Sequence, residues 1–275
     1  MTLLAVLVAV NIATNRIPDA AYLPVALVCV VAMVGFSHLV GLSAAELHLS
    51  PGSLVPGALW AAAAVATVVG FYIVGLMFGA TRAGLADTKT GSLPGHVVVW
   101  RALVVVPLGT VLLEETAFRG VLLGLLQRDW STLWSVVTCS ALFGIWHVLP
   151  SVGRVADNPL ARDRLGTGLF AEIRFVGFSV VTTGFAGIIF CLLVVGSGSL
   201  IPAVAFHWAT NGVGYLVAWS LVRRHPTADD VAEAERHLHL DLDGDGDAGG
   251  RAGQDLSSGR LPRSAARRWR RQTDG

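Results

Sequence analysis

Three charged side chains, Glu114, Glu115 and Arg119, stand inside the long apolar stretch 96–126, in the run Glu114-Glu115-Thr116-Ala117-Phe118-Arg119. A stretch of this kind belongs in a bilayer, where a charge near the centre costs at least ~2.5–3.5 kcal/mol and ordinarily marks a functional site. On a helix Glu115 and Arg119 are four residues apart and share a face, so they can pair and largely cancel. Glu114 is rotated by about 100° from Glu115 and points elsewhere. This leaves Glu114 as the one working carboxylate. The bland alternative is a charge network that only ties helices together.

Composition agrees with a membrane setting. Of the 275 residues 53% are hydrophobic, mean hydropathy is +0.63, and 14% are charged, against ~25% in a soluble domain. Half of the charge lies at the end: residues 223–275 carry ten of the twenty Lys+Arg and ten of the nineteen Asp+Glu. A net charge of +1 makes no case for nucleic acid. Cys29, Cys139 and Cys191 are far apart in apolar runs, and read as small core residues rather than a disulfide or metal framework.

The pattern of spans predicts an all-α fold, a polytopic bundle of about 6–8 membrane helices around an intramembrane polar site. Leu3–Ile12 is too short to cross and lacks the basic flank of a signal peptide, so it reads as a partial or interfacial helix. Ala21–Val40, Val55–Phe78, His96–Leu126, Leu133–Leu149, Leu169–Val195 and Leu200–Val222 follow. Pro107-Leu108-Gly109 is expected to kink or break the third of these. No internal repeat is visible. Residues 1–224 form the membrane unit and 225–275 a disordered tail. Asp241-x-Asp243-x-Asp245-Gly246 resembles the start of a calcium loop, but its twelfth position is Ala252 where a Glu is needed. The basic run Arg267–Arg271 suits either anionic lipid or plain solvent. Arg16, Arg82, Lys89, Arg154, Arg162, Arg164, Arg174, Arg223 and Arg224 fall in alternate breaks, the other breaks holding only Arg128. The expected protein is therefore an integral, multi-pass one with a cytoplasmic C-terminus, in a bacterial plasma membrane.

Two further polar pairs interrupt apolar spans: Phe143 with His147, and His207 with Asn211, each four residues apart on one helix face. Intramembrane histidines need partners, and the cheapest are the carboxylates. One free Glu with two His and an Asn allows two chemistries. Glu114, His147 and His207 can ligate a divalent metal such as Zn²⁺, which would acidify water and polarise a carbonyl. Without metal, Glu114 would take a proton from water, His207 and Asn211 would donate to the oxyanion, and His147 would position the water. Both hydrolyse an amide or ester. The sequence has no HExxH motif and no serine in a nucleophile elbow.

Glu114-Glu115-x-x-x-Arg119, Phe143-x-x-x-His147 and His207-x-x-x-Asn211 together resemble the three-motif signature of the CPBP family, intramembrane CAAX-type prenyl endopeptidases and bacteriocin-processing (Abi) proteins. The motifs occur in order across residues 114–211. The resemblance implies an intramembrane endopeptidase acting on a membrane-associated or lipidated peptide or protein. It makes Glu114, His147, His207 and Asn211 catalytic, with Glu115, Arg119 and Phe143 supporting. The family is often named a metalloprotease, and a metal-free glutamate mechanism is also proposed for it, so the cofactor stays open. The first helix and the tail lie outside the signature. Two non-hydrolytic readings stand beside this one: a membrane scaffold or immunity protein, and a proton-coupled transporter. An antiparallel count of spans raises one difficulty. It puts His147 and His207 on the order of 20 Å apart in depth. A broken, tilted or re-entrant helix is needed, with Pro107 and Gly196–Pro202 as the expected places.

Overall fold

The computed structural model describes residues 2–157 and 159–224, and every regular element among them is helical. The readings of the tail, including the calcium-like loop and the basic run, lie outside the described residues. Seven helices carry the fold: α1 (Thr2–Thr14), α2 (Asp19–Leu39), α3 (Leu54–Gly75), α4 (Gly95–Asp129), α5 (Thr132–Trp146), α6 (Leu169–Ser197) and α7 (residues 201–224). Short helices fill the connections before α4 and after α5. α2, α3, α4, α6 and the segment Thr132–Ser151 are long and apolar enough to cross a membrane. The molecule is a polytopic helical bundle.

Its surface is inverted relative to a soluble protein. Val28, Val31, Val55, Phe71, Phe178 and Val181 are among many large apolar side chains left more than half exposed. Only lipid tails solvate such a surface without penalty, and closed helices satisfy their own backbone there. The interior is lined by small residues that let helix axes approach. At Gly144 an added Cβ would sit 2.6 Å from the carbonyl oxygen of Val180, so α5 and α6 touch backbone to backbone.

The expected break at Pro107 does not occur. α4 runs unbroken for 35 residues and absorbs the proline by widening into π-helical turns over Arg101–Val111 and again over Thr116–Leu122. Glu114 and Glu115 occupy the single α-helical turn between them, Leu112–Glu115. A third π-helical stretch, Ala209–Val213, follows His207 in α7. Such wide turns are rare and concentrate at functional sites. The second expected place is a true break: α6 ends at Gly198, whose φ of +67° is the left-handed cap that glycine adopts freely, and α7 starts three residues later.

The expected separation of the two histidines is not found: His147, which directly follows the last residue of α5, and His207 both face Glu114, at 4.0 and 3.8 Å. α5 has 15 residues and stops at Trp146. The chain then continues along α6, where the Ser151 hydroxyl donates to Ser179 Oγ at 2.6 Å. From Ser179 back to Leu169, α6 extends about 15 Å further.

Candidate active site

Glu114, Glu115 and Arg119 all point into the bundle and are buried, Glu115 and Arg119 completely. Arg119 Nη1 donates to Glu115 Oε1 at 3.2 Å, the pair expected from the four-residue spacing. The same oxygen faces His207 Nδ1 at 2.7 Å. A carboxylate only accepts, so Nδ1 of His207 carries a proton. Arg119 is also held by aromatic faces: its guanidinium carbon lies 4.0 Å from the Phe143 ring centre and 4.7 Å from that of Phe190. Phe190 stacks on His207 at 4.8 Å, and Phe143 packs edge-on against His147 at 4.7 Å. Phe143 is thus a wall shared by Arg119 and both histidines.

Glu114 is held by one oxygen only. Trp146 Nε1 donates to its Oε1 at 3.0 Å. Its Oε2 is buried with no hydrogen-bond partner among the described residues. That oxygen faces His147 Nε2 at 4.0 Å and His207 Nε2 at 3.8 Å. These separations exceed a direct hydrogen bond, so the three atoms converge on a common point without touching. His147 Nδ1 lies 2.9 Å from the Phe143 carbonyl oxygen. A carbonyl also only accepts, which puts the proton on Nδ1 and leaves Nε2 of a neutral His147 as an acceptor.

The structure therefore brings together six of the seven motif residues: Glu114, Glu115, Arg119, Phe143, His147 and His207. Asn211 is not joined to them by a direct bond. It sits half-buried in the π-helical turn of α7, where the Tyr72 hydroxyl of α3 donates to the neighbouring Thr210 carbonyl at 2.7 Å. A pocket of about 410 Å³ lies between α2, α4 and α7, lined by Tyr22, Trp100, Arg101, Val105, Thr110 and Tyr215 among others. Thr110 is one turn before Glu114 and shares a 2.9 Å hydrogen bond with Tyr22. Arg101 pairs with Asp19 at 2.5 Å at the pocket's edge.

Donors bonded to a tetrahedral zinc at ~2.0–2.2 Å stand roughly 3.4 Å apart. Glu114 Oε2 is 3.8 and 4.0 Å from its two imidazole neighbours. Among the described residues no group of three His, Cys, Asp or Glu side chains is arranged to hold a metal ion. The set as arranged does not fit the metal ligation expected of Glu114, His147 and His207.

Fold and site define a polytopic helical membrane protein with two carboxylates and two histidines gathered inside its bundle. Residues 94–213 match the family model described as type II CAAX prenyl endopeptidase Rce1-like. The matched segment, under half of the chain, contains all three motifs, and the family resemblance is shown there. The family is one of CAAX-type intramembrane proteases. No curated protein matches the chain, and no solved structure does.

Three polar contributors escape sequence reading: Trp146, Asn11 and Tyr72. Trp146 adjoins a motif histidine, and a tryptophan N–H buried in an apolar helix needs an acceptor. That signal alone could have found it. The others act through distant backbone or from another helix.

Proposed function

We propose that this chain is an intramembrane endopeptidase that cleaves a peptide bond in a membrane-associated or lipidated substrate with a water activated by Glu114. The supporting observation is the convergence of Glu114 Oε2, His147 Nε2 and His207 Nε2 on one point. Two of these atoms accept: Glu114 Oε2 and neutral His147 Nε2 can hold the two hydrogens of one water. Its oxygen lone pair then faces the scissile carbonyl. Glu114 takes one proton as the C–O bond forms. The tetrahedral oxyanion is stabilised by His207, whose Nδ1–H is anchored on Glu115 and whose Nε2–H donates. The Asn211 amide supplies a second donor. Collapse breaks the C–N bond, and Glu114 returns its proton to the leaving amine nitrogen. The pocket beginning at Thr110 receives part of the substrate. The end of the bundle rich in arginine faces the cytoplasm.

The test is cleavage of a panel of membrane-anchored and lipidated peptides by purified protein in detergent, alongside Glu114→Gln and with a chelator. The expected result is cleavage by wild type, unchanged by chelator and abolished in Glu114→Gln with helix content intact. Full activity in Glu114→Gln would remove the assigned base. Loss with chelator and recovery with added metal would replace this mechanism by a metal one.

A further inference from the structure

The first helix lies outside the segment that matches the family, yet it reaches the catalytic carboxylate through two hydrogen bonds. Asn11 of α1 is buried, and its side-chain N–H donates to the Trp146 carbonyl at 3.0 Å. The Trp146 indole N–H in turn donates to Glu114 Oε1 at 3.0 Å. The carbonyl that Asn11 meets is one the local sequence strands. In a continuing helix the Trp146 carbonyl would accept from the residue four positions on, and that residue is Pro150, which has no N–H. A buried carbonyl left without a donor destabilises the fold. Asn11 fills the gap left by proline.

We propose that Asn11 is a positioning residue for Glu114, acting through Trp146, so that α1 is part of the catalytic apparatus. The inference rests on the hydrolytic reading of Glu114. Trp146 is the last residue of α5, and its indole engages one oxygen of Glu114 and leaves the other facing His147 and His207. Holding the Trp146 carbonyl fixes where α5 ends, and with it the indole and the adjoining His147. Leu3, Leu7 and Val10 of α1 pack against the hydrophobic cluster that contains Trp146, Phe118 and Phe143, which keeps Asn11 in place.

The test separates geometry from turnover. Protein labelled with ¹⁵N at its eight tryptophans should give eight indole N–H resonances in detergent, that of Trp146 being the one missing in Trp146→Phe. This resonance should move in Glu114→Gln and also in Asn11→Leu, which keeps the branched shape but has no donor. In the cleavage assay Asn11→Leu should lower kcat about 10-fold at unchanged KM. The double variant Asn11→Leu/Trp146→Phe should be no slower than Trp146→Phe alone, since the two act in series. An unmoved resonance in Asn11→Leu overturns the proposal, as does a wild-type kcat in that variant or additive effects in the double one. If wild type cleaves nothing while the resonance moves as expected, the hydrolytic reading fails and the structural relay stands.

Discussion

Two ion pairs hang on the same helix, nine residues apart, and they are built in opposite ways. Glu115–Arg119 is wholly buried, yet it has one bond of 3.2 Å and leaves Arg119 Nε and Nη2 and Glu115 Oε2 without hydrogen-bond partners among the described residues. Glu46–Arg128 is about one-third exposed and nearly saturated. Arg128 Nε donates to Glu46 at 2.6 Å, its Nη atoms reach the carbonyls of Val40 and Gly41, and Ser43 donates to Glu46 from both its backbone N–H and its hydroxyl. A chain built for stability alone would do the reverse, because burying charge with incomplete bonding costs more than it returns. The outer pair locks the α2–α3 loop onto the end of α4. The inner pair spends stability to hold His207 in one tautomer and orientation beside Glu114.

The largest effect should follow from breaking the inner pair. Arg119→Ala leaves Glu115 as a buried, uncompensated charge, at a cost of about 3–5 kcal/mol, and should lower the melting temperature sharply as well as abolish cleavage. Arg119→Lys should fall between, since an ammonium keeps the charge but not the flat faces stacked on Phe143 and Phe190. A wild-type melting temperature in Arg119→Ala would mean that the inner pair carries no structural weight, and the contrast between the pairs would collapse.

The histidines sharpen the same comparison, because they should separate catalysis from folding. His207→Ala removes the proposed oxyanion donor and should reduce kcat by roughly 10²–10³-fold, with helix content retained. His147→Ala should also lose activity at retained helix content, through loss of the acceptor that orients water. Turnover at the wild-type rate in either variant would remove that histidine from the centre.

How far the sequence foretells this arrangement depends on the range of each interaction. The Glu115–Arg119 pair is one helical turn long, and the four-residue spacing states it outright. The three motifs meet as expected because each unpaired polar group in lipid has few partners available. Other features were hidden by non-local causes. The three π-helical stretches lie on α4 and α7, and helical periodicity does not report them. The meeting of His147 with His207 is set by how α5 packs between α4 and α6, which a count of spans does not report. Asn11 is not legible in the sequence because its partner is a backbone carbonyl 135 residues away, stranded by a proline on another helix. Asn211 is a site residue by its spacing to His207, and it stands in the wide turn Ala209–Val213 that follows that histidine.

The smallest effect should come from the outer pair, and its sign is fixed by the direction of the Glu46 shift. Hydrogen bonds from Arg128, then from Ser43, lower the Glu46 carboxyl from its ordinary 4.5 to about 2. A group whose folded pKa is depressed stabilises the fold above its unfolded pKa and loses that contribution as pH falls through the folded one. The melting temperature of wild type should therefore exceed that of Glu46→Gln at neutral pH by a small margin. The margin should shrink as pH drops from about 4.5 towards 2. High salt should also shrink it at neutral pH, because Glu46 is bathed by solvent ions. The inner variants should show little salt dependence, because ions do not reach Glu115 and Arg119. A margin that grows on acidification would reverse the sign argued here. A margin for Glu46→Gln as large as that for Arg119→Ala would mean that exposure does not set the weight of these two pairs.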